Sequence, residues 1–309
     1  MRPVPKRGDP LIVASIFQPH NLPLLGLLGV ALLLGTIHGV TPDEHTWPIT
    51  FSYAVGSYST RGGLRAGLFF SLGFTVQRSI FSELSYFALT KWMSTPKVEA
   101  IVYLAVGTLM AVSGSVMRTR GTTLHLLPFV DRFLPRLDAR QQPPRSLAAL
   151  HGLIAGMGTG AFATILYTTI SPAMPSAVLG WVPGALFGAG TLVAQVAIGA
   201  AFGRAMESRG ISDDGRSFVG RTIASLTLGI GGLVFIASAI FSLMYPHLAA
   251  FSISTGINVP NLDAINLSIL LVILVVPIVG AASTVYAIRK LKSNDSPGAV
   301  PGLKLRHGA

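Results

Sequence analysis

The 309-residue chain contains no cysteine. That excludes disulfides, thiolate metal sites, iron–sulfur clusters and membrane thiol–disulfide relays together. Charge is scarce as well: 11% of residues are Asp, Glu, Lys or Arg, against about 25% in soluble domains. Too few groups remain to wet a protein surface of this size. The sequence also lacks a Gly-x-x-x-x-Gly-Lys-Ser/Thr loop, a His-Glu-x-x-His pair and a Gly-x-Ser-x-Gly elbow. Nothing points to ATP hydrolysis, a metalloprotease of that type or a serine hydrolase, and no enzyme activity is expected.

What remains is apolar. Half of the residues are hydrophobic and the mean hydropathy is +0.61. Apolar runs fall at 22–40, 64–89, 100–117, 147–170, 179–203, 222–245 and 265–288, close to the roughly 20 residues that a bilayer crossing needs. One soluble core could not bury them all. The expected fold is an all-α polytopic membrane protein, surrounded by lipid in the cell membrane. A further stretch, 46–59, is short and half polar. It is either the second half of a broken first span or a crossing of its own, so the count is seven or eight. The basic N-terminus is interrupted by proline and shows no small-residue cleavage site, so no signal peptide is expected.

The net charge of +11 would suggest nucleic acid in a soluble chain. Here Lys and Arg gather between and after apolar runs, and no nucleic-acid partner is expected. The 118–146 loop holds Arg118, Arg120, Arg132, Arg136, Arg140 and Arg145, and the 204–221 loop holds four more arginines. The tail, Arg61 and Arg65 add to the same side, whereas the opposite loop has Lys91 and Lys97. The excess of positive charge places that side, and the C-terminus, in the cytoplasm. Seven crossings put the N-terminus outside; eight put it inside.

The two halves resemble each other. Leu34–Gly39 (LGTIHG) matches Ala148–Gly152 (AALHG), Ala66–Gln77 (AGLFFSLGFTVQ) matches Gly184–Gln195 (GALFGAGTLVAQ), and Ala105–Ala111 matches Gly229–Phe235. Three crossings separate equivalent elements, so the halves run in opposite directions. That is an inverted-repeat plan, with the substrate held near the midplane. The expected organisation is an N-terminal segment (1–21), a first three-helix repeat (22–117), a basic cytoplasmic loop (118–146) and a second three-helix repeat (147–245). An additional helix (265–288) and a cytoplasmic tail (289–309) follow.

The most informative stretch is Gly35–Ile49, GTIHGVTPDEHTWPI. Gly39 and Pro42 interrupt the apolar helix, predicting a break at 39–42. Thr41 would cap a fresh helix, with Pro42 at its first position and Glu44 completing a capping box. Broken helices of this kind build ion sites in transporters. His38 and His45 offer imidazole nitrogens, Asp43 a carboxylate and Thr41 a hydroxyl. A nitrogen–oxygen set without thiolate suits Ni²⁺, Co²⁺ or Zn²⁺ better than Cu(I), Mg²⁺ or Ca²⁺. The two histidines stand two turns apart on a regular helix, so either the break folds them together or only one binds. The same residues also fit a plain helix-end loop with interfacial Trp47.

These residues resemble the nickel/cobalt transporter family, within the lysine-exporter-like superfamily of three-plus-three inverted repeats. His38 and Asp43 match the family's His-x4-Asp-His signature, and His45 matches its last His with Glu44 inserted before it. Thr60-Arg61 matches the following Thr-Arg. Phe70-Ser71-Leu72-Gly73 matches the second motif, in which Phe74 stands where the family has His. The resemblance implies a secondary transporter of Ni²⁺ or Co²⁺, with the metal as cargo and no prosthetic group. Histidine protonation competes with metal binding, which makes proton coupling a natural consequence.

Other polar residues fall inside apolar runs. Arg78 lies mid-span beside Gln77, where a charge is costly and faces protein or water. Glu83 is its obvious partner on the same helix, although five residues is off the i, i+4 spacing; Asp43 or Glu44 could meet it from another helix. Arg78, Glu83, Glu44 and Gln77 thus form a candidate ion-pair or gating set. His151, the repeat counterpart of His38, precedes the glycine-rich GLIAGMGTGAF and is a further candidate ligand. An arginine beside a pore can also bind an anion. An anion or amino-acid-like solute is therefore the alternative cargo, with Arg78 and helix N-termini as its site.

Overall fold

The computed structural model describes residues 19, 22–41, 43, 46–57, 59–88, 96–120, 145–158, 161–207, 213–257, 259 and 262–294. The first helix, α1 (Leu24–Val40), buries Leu27, Ala31, Leu34, Gly35, His38 and Gly39, a stripe at helical spacing. Thr41 then turns extended, with φ −70° and ψ 142°, and the chain re-enters a helix, α2, at Trp47–Gly56.

The break therefore lies at 41–46, later than the expected 39–42. Gly39 stays helical because it serves close packing: a Cβ there would stand 2.6 Å from that of Ala194. Nor does Thr41 cap the second helix. Its hydroxyl donates back to the His38 carbonyl (3.2 Å) and closes the first. Thr46 takes the cap position, and Pro48 sits in the first turn of α2, where its fixed φ costs nothing.

The helix α3 (Thr60–Tyr86) starts at Ser59, whose hydroxyl accepts from the Gly62 amide at 3.0 Å. After α4 (Pro96–Arg120) comes α5 (Arg145–Ala155). The run expected as one span over 147–170 is broken too: the helix stops at Ala155 and resumes as α6 (Ala161–Ile165), which passes into a π turn at Leu166–Ile170. Glycines at 156, 158 and 160 weaken the helix there. The long α7 (Val182–Glu207) and α8 (Asp213–Met244) follow, then the short α9 (Pro246–Ala249). A two-stranded antiparallel ribbon pairs Ile253 with Ile265 and Ser254 with Ala264. The last elements, α10 (Leu267–Ile273) and α11 (Gly280–Asn294), are joined by a π turn that contains Pro277.

Packing is reciprocal. Central helices α3 and α7 run along each other, α1 lies against α7, α5 lies against α3, and α4 pairs with α8. Exchanging α1 with α5, α3 with α7 and α4 with α8 leaves this pattern unchanged. Glycine makes the close approaches possible. A Cβ on Gly73 would collide with the Ala149 carbonyl, and one on Gly152 with the Phe70 carbonyl. The buried core runs between these helices through Leu34, Phe70, Phe74, Phe162, Phe187 and Phe235.

Among the described residues, four stretches are long and apolar enough to cross a membrane: Lys97–Thr119, Ala177–Glu207, Phe218–Met244 and Ile269–Ser293. At 27 residues, α3 is long enough, roughly 40 Å, and it carries Arg65, Arg78 and Glu83 along the way. Large apolar side chains such as Leu72, Val76, Ile80, Val193, Leu233 and Ile278 point outward and are exposed, as a lipid-facing surface requires. The architecture is that of an all-α membrane protein.

Candidate functional site

The inward stripe of α1 places His38 in its last turn, and the chain folds back after Val40 to bring Asp43 beside it. The His38 Nδ1 lies 3.5 Å from an Asp43 carboxylate oxygen, with the residues 2% and 1% exposed. The fold-back is held by the Asp43 carbonyl, which accepts from the amides of Thr46 (3.2 Å) and Trp47 (3.0 Å). The Asp43 backbone thereby braces the start of α2 while its side chain turns towards α1.

Among the described residues, three aromatic rings lie against the imidazole. Phe74 of α3 stacks on it at 5.6 Å between centroids, Phe187 of α7 lies tilted at 5.3 Å, and Phe162 of α6 meets it edge-on at 5.8 Å. Apolar walls make an ionised carboxylate costly unless a cation lies beside it. The pair is therefore suited to a positive charge, either an imidazolium or a metal ion held by nitrogen and oxygen. Thr41 is buried next to the pair, but its hydroxyl is bonded to the His38 carbonyl. Pro42, Glu44 and His45 lie outside the described residues. Among the described residues no three His, Cys, Asp or Glu side chains converge.

His151 occupies a separate cluster. Its Nδ1 is shared between the Tyr53 hydroxyl of α2 (2.7 Å) and the Leu147 carbonyl (3.1 Å). Its Nε2 is buried without a hydrogen bond.

Of the candidate ion-pair set, Glu44 lies outside the described residues, and the described members do not pair with one another. Glu83 lies about 140° around the helix from Arg78 at five residues' separation. No described carboxylate pairs with Arg78, and Asp43 faces His38 instead. Arg78 is 1% exposed and reaches across to the second break. Its Nη1 donates to the Gly158 carbonyl and to the Tyr167 hydroxyl, both at 2.9 Å. The guanidinium also lies over Phe74 at 4.6 Å and near Phe187 at 5.5 Å. The two rings against His38 thus also face Arg78. One Glu83 carboxylate oxygen is buried beside Gly180 without a hydrogen bond. The glutamines differ: Gln195 donates to the Gly39 carbonyl at 2.9 Å, whereas both amide atoms of Gln77 are buried without such a bond.

Sequence reasoning missed the aromatic enclosure, Tyr53 and Tyr167. Phe74 could have been found, since the resemblance noted above already singles out its position. Phe162 and Phe187 carry no signal that sets them apart from other core phenylalanines. No protein-family model, curated protein or solved structure matches the chain.

Proposed function

We propose that this chain is a secondary transporter of a divalent transition-metal cation, Ni²⁺ or Co²⁺, across the cell membrane. The observation that carries the reading is the His38–Asp43 pair, buried at 3.5 Å where the first helix breaks. A carboxylate and an imidazole enclosed by phenylalanines form a site whose charge is balanced by a cation, and their donor atoms suit Ni²⁺ and Co²⁺. His45, two residues beyond Asp43, is the proposed third ligand, with Thr41 and His151 as further candidates. The resemblance of the stretch from His38 to Gly73 to the nickel/cobalt transporter family supports the same cargo.

Reciprocal packing of α1 on α7 and α5 on α3 supports two inverted three-helix repeats, with seven or eight crossings and a cytoplasmic C-terminus. Both repeats break their first helix, as expected where substrate passes between repeats. The imidazole exchanges metal for protons, so the gradient that drives transport is one of protons. No prosthetic group or catalytic step is part of this reading.

The test is flux in liposomes that contain the purified protein and a metal-sensitive dye. Wild type should pass Co²⁺ or Ni²⁺, and His38→Ala and Asp43→Asn should lose at least about tenfold while remaining folded and inserted. Equal flux in wild type and both variants would refute it.

A further inference from the structure

We propose that Arg78 and Gln77 form an anion site at the second helix break, taking one small monovalent anion such as a halide or a short carboxylate. The guanidinium is permanently charged and 1% exposed, and no described carboxylate pairs with it. The Gly158 carbonyl and the rings of Phe74, Tyr167 and Phe187 offset part of that charge, a helix end counting for about half a unit. None of them is an anion. The Arg78 Nε is buried with no hydrogen bond, although a guanidinium spreads its donors over a fork that carboxylates and other anions match.

Gln77 is the second, independent observation. It is 3% exposed, and neither its amide oxygen nor its nitrogen makes a well-formed hydrogen bond. Buried amides are rarely left this way. Its counterpart Gln195 donates its amide N–H to the Gly39 carbonyl and leaves only its amide oxygen without a hydrogen bond. Gln77 faces the break instead: a Cβ on Gly156 would stand 2.6 Å from its amide oxygen. The Tyr167 hydroxyl accepts from Arg78 and lies within hydrogen-bonding reach of the Gln77 amide. The Arg78 guanidinium, the Gln77 amide and the Tyr167 hydroxyl thus gather beside Gly156 and Gly158.

The charge count selects the ligand. Among the described residues the cluster holds one cationic side chain, so a monovalent anion leaves it neutral and a divalent one does not. The enclosing rings select for small size. This inference is independent of the metal reading, because the site shares no ligand with His38 or Asp43.

The experiment uses purified full-length protein in detergent, in gluconate buffer without added metal. Thermal unfolding is followed while chloride, bromide, formate or acetate is added, with sulfate at equal ionic strength as the control. The Tm should rise saturably with at least one monovalent anion and not with sulfate. In Gln77→Leu the half-saturating concentration should rise at least about tenfold, and Arg78→Lys, which keeps the charge but loses the fork, should weaken the response similarly. A wild type with no saturable response would overturn the proposal, as would a response matched by sulfate or unchanged in Gln77→Leu.

Discussion

The side-chain amide of Gln195 on α7 holds the carbonyl of Gly39 on α1 at 2.9 Å. That carbonyl belongs to the last turn of a helix that ends one residue later, at Val40, where backbone acceptors have no partner of their own. Arg78 of α3 does the same for Gly158 after α5. Each broken helix is thus closed by a side chain from the central helix of the other half. Replacing Gln195 by Leu leaves the Gly39 carbonyl buried and unpaired, which should cost about 1–3 kcal/mol. A lowered Tm of the purified variant checks this; an unchanged Tm would show that the bond contributes nothing.

Close helix packing predicts opposite outcomes for two glycines. Gly152→Ala drives a methyl group into the Phe70 carbonyl and should sharply reduce the folded fraction in size-exclusion chromatography. Gly229 has nothing within 4 Å of where its Cβ would stand. There Gly229→Ala should be neutral or stabilising by up to about 1 kcal/mol, the difference in helix propensity.

Phe74 offers a gain-of-function test. Its ring stacks on His38 at 5.6 Å, so Phe74→His places a second imidazole against the proposed metal site. Ni²⁺ affinity, measured by calorimetry, should tighten about tenfold, the lower end of the scale on which groups around a metal tune its binding. Unchanged or weaker affinity would show that ligands do not approach from α3.

The two proposed sites should be coupled, because His38 and Arg78 share the rings of Phe74 and Phe187. Neutralising Arg78 with an anion removes a positive charge that opposes a metal cation nearby. Metal affinity in chloride should exceed that in gluconate by about fivefold, at the low end of ordinary coupling between sites. Equal affinities in the two buffers would dissociate the sites.

Much of the helical plan was legible in the sequence, because long apolar runs state their own length. The boundaries at the breaks were not. Gly39 and the pattern Thr41-Pro42-Asp43-Glu44 suggested a break and restart that the chain delays until Trp47, since Gly39 is needed for contact with Ala194. The second break was visible only as a glycine-rich stretch. At the site, His38 and Asp43 were readable from residue type and spacing, and the structure brings them together. The partners of Arg78 were not readable: a carbonyl and a tyrosine hydroxyl 80 and 89 residues away leave no local pattern. The aromatic walls were equally silent, because a phenylalanine that encloses a ligand and one that fills a core look alike in sequence.

The most direct test of the central claim is X-ray absorption spectroscopy on purified protein titrated with Ni²⁺ at pH 7, with His38→Ala and Asp43→Asn measured alongside. The account predicts one tightly bound ion in a nitrogen–oxygen shell with imidazole scattering, diminished in His38→Ala, and weaker binding in both variants. Absence of binding by the folded wild type, or a shell and affinity identical in all three proteins, would contradict it.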